Sequence, residues 1–130
     1  MKNPQLKQLR QIFSSSPEVK LGYFFGSRAR GDSGPLSDYD FAVYIDDRDP
    51  KTKMQIKLDL LEKLSLLLKT DKIDLVILDH LAGPELQYEI IREGKLIYEV
   101  EPYKIIVEPR IMNLYFDFHD LLVRHNLTKA

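Results

Sequence analysis

Apolar residues recur every three or four positions in four stretches of the chain. This spacing predicts amphipathic helices near the amino terminus up to Ser14, over residues 51–69, over residues 84–93 and in the tail. In the tail, Pro109 is expected to begin or interrupt the helix, because proline disfavours the helical conformation of the residue before it. The C-terminal helix is therefore predicted at about residues 109–125.

Between the helices lie short apolar runs bounded by turn-forming residues, a pattern typical of buried strands. The predicted strands are residues 20–25, 38–45, 72–78 and 95–100. Residues 31–37 contain so many turn formers that they predict a loop. Strands that alternate with helices predict an α/β fold with a small mixed sheet flanked by helices. We expect a single domain over residues 1–130, with its core at about residues 20–100.

The composition restricts the partners and the location of this domain. The 130 residues include 19 basic, 20 acidic and no cysteine residues, and the apolar runs are far shorter than the roughly 18 residues of a membrane span. Without a surplus of basic residues, nucleic acid is not an expected partner. Because cysteines and an apolar leader are both absent, we expect a cytoplasmic protein with no membrane partner.

Two aspartates in the second predicted strand are the first candidates for chemistry. Asp38 and Asp40 are two positions apart, so they point to one face of the strand while Tyr39 points to the other. The residues that follow, 41–45, are apolar, so two like charges beside them require a counter-cation. Mg²⁺ prefers one or two protein carboxylates, with waters and substrate phosphate oxygens as its other ligands. The pair therefore predicts a Mg²⁺ site.

The turn after the first predicted strand is a candidate phosphate site. Gly26 and Ser27 lie there, and a helix that begins at Ser27 would direct N–H groups toward an anion. The Ser27 hydroxyl is a further donor, and Arg28 or Arg30 can form bidentate hydrogen bonds with phosphate. Both arginines are equally compatible with solvated loop charges. The turn is not a Walker A loop, which requires Gly-x4-Gly-Lys-Ser/Thr.

Asp74 is a third candidate, inside the otherwise apolar third strand. Alternation places Val76 and Leu78 on its face of the strand. Burial would raise its pKa and make it a possible base, whereas a nearby metal ion would keep it ionised, and the sequence does not decide between the two. Either role places Asp74 at the site. The structural alternative is an aspartate that caps a neighbouring loop.

These residues together resemble a known motif. Gly26-Ser27, ten intervening residues and Asp38-x-Asp40 resemble the defining motif of the DNA polymerase β-type nucleotidyltransferase superfamily. The run Gly-Ser-Arg-Ala-Arg-Gly followed by Ser37-Asp38 is similar to its minimal, single-domain branch, the MNT proteins. In the tail, the segment 115–118, Tyr-Phe-Asp-Phe, is similar to the Tyr-Leu-Asp-Phe-like end of MntA-like antitoxins. The resemblance implies the nucleotidyltransferase fold over about residues 20–100.

The resemblance implies transfer of a nucleoside monophosphate from a nucleoside triphosphate to an acceptor hydroxyl, with release of pyrophosphate. It implies that Asp38 and Asp40 hold Mg²⁺, and that Asp74 completes the metal site and activates the acceptor. It also implies that Gly26 and Ser27 hold the outer phosphates. In the MntA-like members, ATP is the donor and the acceptor is a tyrosine of a HEPN-domain RNase toxin. The implied role is therefore the antitoxin half of a HEPN/MNT hetero-oligomer, acting by AMPylation.

Two other functions stay open. One is a binding module that neutralises its partner by occlusion, with a vestigial or regulatory nucleotide site. The other is a small-molecule nucleotidyltransferase of the aminoglycoside-modifying type, which the lack of acceptor-binding helices disfavours. Since no second domain is expected, the acceptor pocket would have to come from a partner protein.

Overall fold

The computed structural model describes residues 3–125 and has four strands and five helices in that range. In chain order they are α1 Asn3–Ser14, β1 Val19–Phe25, α2 Gly26–Arg30, β2 Tyr39–Ile45, α3 Pro50–Leu68, β3 Ile73–Ile77, α4 Pro84–Glu93, β4 Lys95–Glu99 and α5 Tyr103–Arg124. The four predicted strands are confirmed, as are the predicted loop and the helices at α1, α3 and α4. A 3₁₀ turn over His80–Ala82, which the sequence did not predict, precedes α4.

The four strands form one mixed sheet in the order β3-β2-β1-β4. β1 pairs antiparallel with both β2 and β4, whereas β2 and β3 run parallel. The parallel pair is possible because α3 crosses from the end of β2 to the start of β3, as a βαβ unit requires. The predicted fold class, a small mixed sheet flanked by helices, is confirmed.

Helices cover both faces of the sheet and divide the core into two clusters. α1 and α3 cover one face, with Leu9, Phe13, Phe41, Leu60 and Leu64 fully buried between them and the sheet. α4 and α5 cover the other face, with a second cluster of buried residues: Leu21, Tyr23, Ala42, Leu78, Ile90, Val107 and Ile111. Successive residues of β2 and β3 therefore point alternately to the α1–α3 cluster and to the α4–α5 cluster.

The C-terminal helix begins earlier than the sequence predicted. α5 starts at Tyr103 and runs through Pro109 without a break, so the expected start at about residue 109 is wrong. Val107 and Ile111 are buried on either side of the proline, and their packing outweighs the roughly 3 kcal/mol that an interior proline costs. Pro109 itself is exposed. At 22 residues α5 is the longest helix of the described chain, yet neither it nor another helix there is apolar enough to cross a membrane.

A partly buried hydrogen bond ties α5 to the sheet. The Tyr23 hydroxyl on β1 donates to Glu108 Oε2 at 2.6 Å, and Tyr23 is 1% exposed. Burial, and then the bond to Glu108, raises the pKa of the Tyr23 phenol far above its ordinary value. The phenol therefore keeps its proton, and this donor, throughout the neutral range.

We expect Tyr23→Phe to lower the free energy of unfolding by about 1–3 kcal/mol, because the partly buried Glu108 carboxylate loses its donor. Urea unfolding followed by circular dichroism measures the change. The matched control is Tyr103→Phe, whose hydroxyl donates to the exposed Asp46 at 2.7 Å and should matter much less. Equal losses in the two variants would contradict a special contribution from the partly buried bond.

Candidate functional site

The Gly-Ser turn lies where β1 ends, next to the start of β2. Phe25, the last residue of β1, pairs with Asp40 of β2, so the following residue, Gly26, lies beside Asp40. Gly26 has φ +80°, a conformation that glycine adopts without strain. α2 begins at this glycine and spans only five residues. A short helix is therefore present at Ser27, as the phosphate site requires, but it is too short to make a strong dipole. Any anion contact here depends on local N–H and hydroxyl groups.

The three predicted carboxylates lie on one side of the sheet. Asp40 and Asp74 are direct partners in the parallel β2–β3 register, where neighbouring strands are about 4.8 Å apart. Asp38 immediately precedes β2, which begins at Tyr39. By alternation all three share the side of Ala42 and Val76, which pack on the α4–α5 cluster. Asp38 and Asp74 are exposed and Asp40 is partly buried.

The surroundings of Asp40 disfavour its ionised form. Burial raises the pKa of its carboxyl above the usual value, and the negative charges of Asp74 and Asp38 raise it further. Arg30 acts in the opposite direction and lowers it. Like charges close to a partly buried carboxylate make its ionised form costly unless a cation is present. A cation next to Asp40 would therefore be favoured. Asp74 is exposed. The role as a base activated by burial, which the sequence left open, is therefore excluded.

A divalent cation fits this donor set, although the described residues do not form a finished metal centre. Among residues 3–125, no group of three or more His, Cys, Asp or Glu side chains is arranged to hold a metal ion. The carboxylates are nonetheless of the type that hard divalent cations prefer, and two adjacent strands and the loop end supply them together. Burial and then repulsion from Asp74 and Asp38 raise the pKa of Asp40, and such a cation would relieve the repulsion.

Gly26 leaves no room for a side chain. A Cβ at this position would overlap the Asp40 carboxylate. The close approach of backbone to carboxylate is thus built from two features, the absence of a Cβ and the positive φ. A group that contacts the Gly26 backbone is thereby brought next to Asp40, which lies beside Asp74.

The two arginines of α2 have different surroundings. Arg28 Nε donates to the Ser37 carbonyl at 2.8 Å, and its guanidinium stacks over the Tyr39 ring, 4.3 Å from the ring centre. Tyr39 packs on the α1–α3 cluster, on the side of the sheet away from the aspartates. Arg30 is exposed and pairs with Asp32 at 3.2 Å. The charge of Arg30 lowers the pKa of Asp40.

The sequence predicted correctly that Tyr39 points away from Asp38 and Asp40, but it indicated no role for this residue. Its ring lies against Phe24, with ring centres 6.3 Å apart, and supports the Arg28 guanidinium. Ser37, nine residues after Arg28, contributes the carbonyl that Arg28 binds. The sequence contains no spacing that signals this contact, because it forms across an irregular loop. The cation–π contact between Arg28 and Tyr39 is therefore visible only in the folded structure.

Comparison with known proteins agrees with this geometry. Residues 7–103 match the family described as polymerase beta, nucleotidyltransferase. The protein adenylyltransferase MntA of Aphanizomenon flos-aquae (strain 2012/KM1/D3) is 31% identical over 110 residues, which cover 75% of this chain and 71% of that relative.

Two solved structures share the fold. A chain in the crystal structure of a toxin–antitoxin with AMP-PNP has a TM-score of 0.74 and 22% identity, covering 92% of this chain and 93% of that one. A chain in the structure of the tri-AMPylated Shewanella oneidensis HEPN toxin in complex with MNT antitoxin has a TM-score of 0.72 and 21% identity, with 95% and 94% covered. The predicted nucleotidyltransferase fold is confirmed.

Proposed function

Because this chain belongs to the polymerase beta nucleotidyltransferase family, we propose that it transfers AMP from ATP to a tyrosine hydroxyl of a HEPN-domain toxin. It would thereby act as the antitoxin of that toxin, in a hetero-oligomer with it. The relative from Aphanizomenon flos-aquae is a protein adenylyltransferase, and a similar fold occurs in a complex with a tri-AMPylated HEPN toxin. Both support AMP as the transferred group. We further propose that residues 1–130 act as one nucleotidyltransferase domain.

The observation that carries this proposal is the position of Asp40. It lies between the Gly26 turn, which its carboxylate touches closely, and Asp74, its partner in the adjacent strand. A triphosphate bound at the turn would therefore have its reacting phosphorus next to the carboxylates. Phosphoryl and nucleotidyl transfer need this arrangement, since most of the catalysis is positioning and charge neutralisation.

We assign Asp38, Asp40 and Asp74 as the ligands of Mg²⁺. When bound, Mg²⁺ neutralises phosphate charge and orients the entering and leaving oxygens. The raised pKa of Asp40, caused first by burial and then by Asp74 and Asp38, supports this assignment, because a bound cation would relieve the repulsion among the three acids that Arg30 offsets only in part.

The residues of the chain then divide the remaining work. The backbone at Gly26 and the Ser27 hydroxyl hold the outer phosphates of ATP. The tyrosine oxygen of the toxin forms a bond to the α-phosphorus, the bond from that phosphorus to its leaving oxygen breaks, and pyrophosphate departs. Asp74, which is exposed and so open to an incoming hydroxyl, accepts the tyrosine proton. No covalent intermediate with this chain is required.

We propose different tasks for the two arginines. Arg30, whose charge lowers the pKa of Asp40, contributes to nucleotide binding. Arg28 is a positioning residue, because its bond to the Ser37 carbonyl and its stacking on Tyr39 hold the two residues that flank Asp38.

Arg28→Ala should lower kcat for AMP transfer by about 10- to 100-fold, since small displacements of catalytic groups cost that much, and leave the KM for ATP nearly unchanged. Arg30→Gln should instead raise the KM for ATP by about tenfold, the loss of one charge-assisted hydrogen bond. Initial rates over a range of ATP concentrations separate the two effects. A raised KM in Arg28→Ala with normal kcat would return Arg28 to the nucleotide.

The function is tested by incubating the chain with labelled ATP, Mg²⁺ and the product of the neighbouring reading frame, which we expect to be the HEPN-domain toxin. We expect label on the toxin, release of pyrophosphate, and loss of label when the acceptor tyrosine is replaced by phenylalanine. Inhibition of the toxin without any transferred label would contradict the proposal and indicate occlusion. Label on an added aminoglycoside but not on the toxin would indicate a small-molecule enzyme.

A further inference from the structure

A cleft of about 460 Å³ lies at the opposite end of the sheet from Asp38, Asp40 and Asp74. Its walls come from the end of β2, the β2–α3 loop, the 3₁₀ turn, α4 and α5. Ile45, which lines it, follows Asp40 by five residues along β2, about 16 Å in an extended strand. The cleft is therefore separate from the proposed nucleotide site, and nothing in the AMP-transfer reaction uses it.

The acidic residues of this cleft already have partners. Asp79 pairs with Lys53 at 3.5 Å and also accepts from the Leu81 N–H at 3.0 Å. Asp46 accepts the Tyr103 hydroxyl at 2.7 Å. Asp47, the third acid, accepts the backbone N–H of Asp49 at 2.8 Å. Their hydrogen-bonding capacity is thus partly used by the protein itself.

Unlike Lys53, the two arginines of the cleft have no such partner among the described residues. The ion pairs and side-chain hydrogen bonds among residues 3–125 leave Arg48 and Arg110 without an acidic partner. They come from two separate elements, the β2–α3 loop and α5, and line the same cleft. Two arginines that line one cleft offer donors suited to bidentate contact with a tetrahedral or planar anion.

Gln87 supplies a buried donor to the same space. It is 5% exposed, on α4, and lines the cleft. Its amide has no side-chain hydrogen bond within the described residues, where no sealed side-chain polar atom lacks a partner. The amide atoms are therefore not sealed from solvent, and Gln87 lines this cleft. Next to it the wall is apolar, formed by Leu78, Ile111 and Leu114.

We propose that this cleft binds a small organic phosphate monoester. The phosphate would lie between Arg48 and Arg110, since its three terminal oxygens match a larger donor set than a carboxylate does. The organic group would lie on the apolar wall beside Gln87. The cleft volume is within the roughly 300–1,000 Å³ of small-molecule sites and larger than a phosphate ion needs.

The test titrates phenyl phosphate into the full chain and follows amide shifts by NMR. We expect binding in the millimolar range or tighter, with the Gln87 side-chain amide and the residues around Arg110 shifted and Gly26 and Ser27 unchanged. Inorganic phosphate lacks the organic group, and benzoate carries a carboxylate in place of the phosphate. Each should bind at least about tenfold more weakly than phenyl phosphate.

Arg48→Gln and Arg110→Gln should each weaken phenyl phosphate by about tenfold or more, the loss of charge-assisted hydrogen bonds. The matched control is Arg124→Gln, also on α5 but paired with Asp120 and outside the cleft, which should bind as the unaltered chain does. Shifts confined to Gly26 and Ser27, or equal affinity in all three variants, would overturn the proposal. Benzoate binding as tightly as phenyl phosphate would overturn the choice of phosphate.

Discussion

Asp40→Asn is expected to lower AMP transfer by about a thousandfold or more and, at the same time, to make the free chain more stable. The loss of activity follows because asparagine keeps the shape of the side chain but removes the charge that we assign to Mg²⁺, whose contribution to the transition state is several kcal/mol. The gain in stability follows because Asp40 is held close to Asp74 and Asp38 in a partly buried position. A residue selected for stability alone would not be charged here.

The pH dependence of this gain has a definite sign. The pKa of Asp40 is raised in the folded chain, first by burial and then by Asp74 and Asp38, so the folded state binds the proton more tightly than the unfolded state. The penalty from ionised Asp40 is absent below the ordinary aspartate pKa of about 3.9. It develops as the pH rises from that value through the raised one, and is complete above it. The stabilising effect of Asp40→Asn should therefore appear at neutral pH and vanish in acid.

Thermal unfolding at several pH values, with and without Mg²⁺, measures both parts of this prediction. Mg²⁺ should raise the unfolding temperature of the unaltered chain at neutral pH and have little effect on Asp40→Asn. Asp71→Asn, an identical change at an exposed aspartate three residues before Asp74, is the control and should change neither stability nor transfer. An Asp40→Asn variant that is less stable than the unaltered chain at neutral pH would show that the carboxylates do not repel one another.

The sequence predicted the carboxylate side of the site because strand periodicity is a strict rule. Two residues apart on a strand means one face, so Asp38 and Asp40 were assigned together, and alternation in the third predicted strand separated Asp74 from Leu75 correctly. Strand register was not predictable in this way. That Asp40 and Asp74 are direct partners depends on how α3 returns the chain to the sheet, which is a tertiary property.

Packing explains the features that the sequence did not predict. Pro109 signals a helix boundary in any isolated peptide, yet the burial of Val107 and Ile111 continues α5 through it. The expectation that Arg28 or Arg30 binds phosphate rests on their shared charge. In the fold a neighbouring aromatic ring and a loop carbonyl hold Arg28, and neither partner is recognisable from residue type alone.

Gly26→Ala is expected to abolish transfer almost as completely as the loss of Asp40, whereas Gly31→Ala should leave it nearly intact. Both glycines have positive φ, +80° and +83°, so each alanine variant pays a conformational cost of about 1–2 kcal/mol. At Gly26 the new methyl group would overlap Asp40. At Gly31 nothing lies within 4 Å of the position that the methyl group would take. Asp40 must then leave its place between the turn and Asp74, which should reduce kcat by about a hundredfold or more.

Urea unfolding and AMP-transfer rates of the two alanine variants, measured side by side, separate strain from displacement. Because the backbone cost is common to both, a similar loss of stability with a large difference in activity is the expected result. The Mg²⁺-dependent rise in unfolding temperature should likewise disappear in Gly26→Ala and persist in Gly31→Ala, since only the first moves a carboxylate. Comparable activity in the two variants would mean that the close approach of Gly26 to Asp40 has no part in placing the triphosphate, and the assignment of this turn as the phosphate site would be wrong.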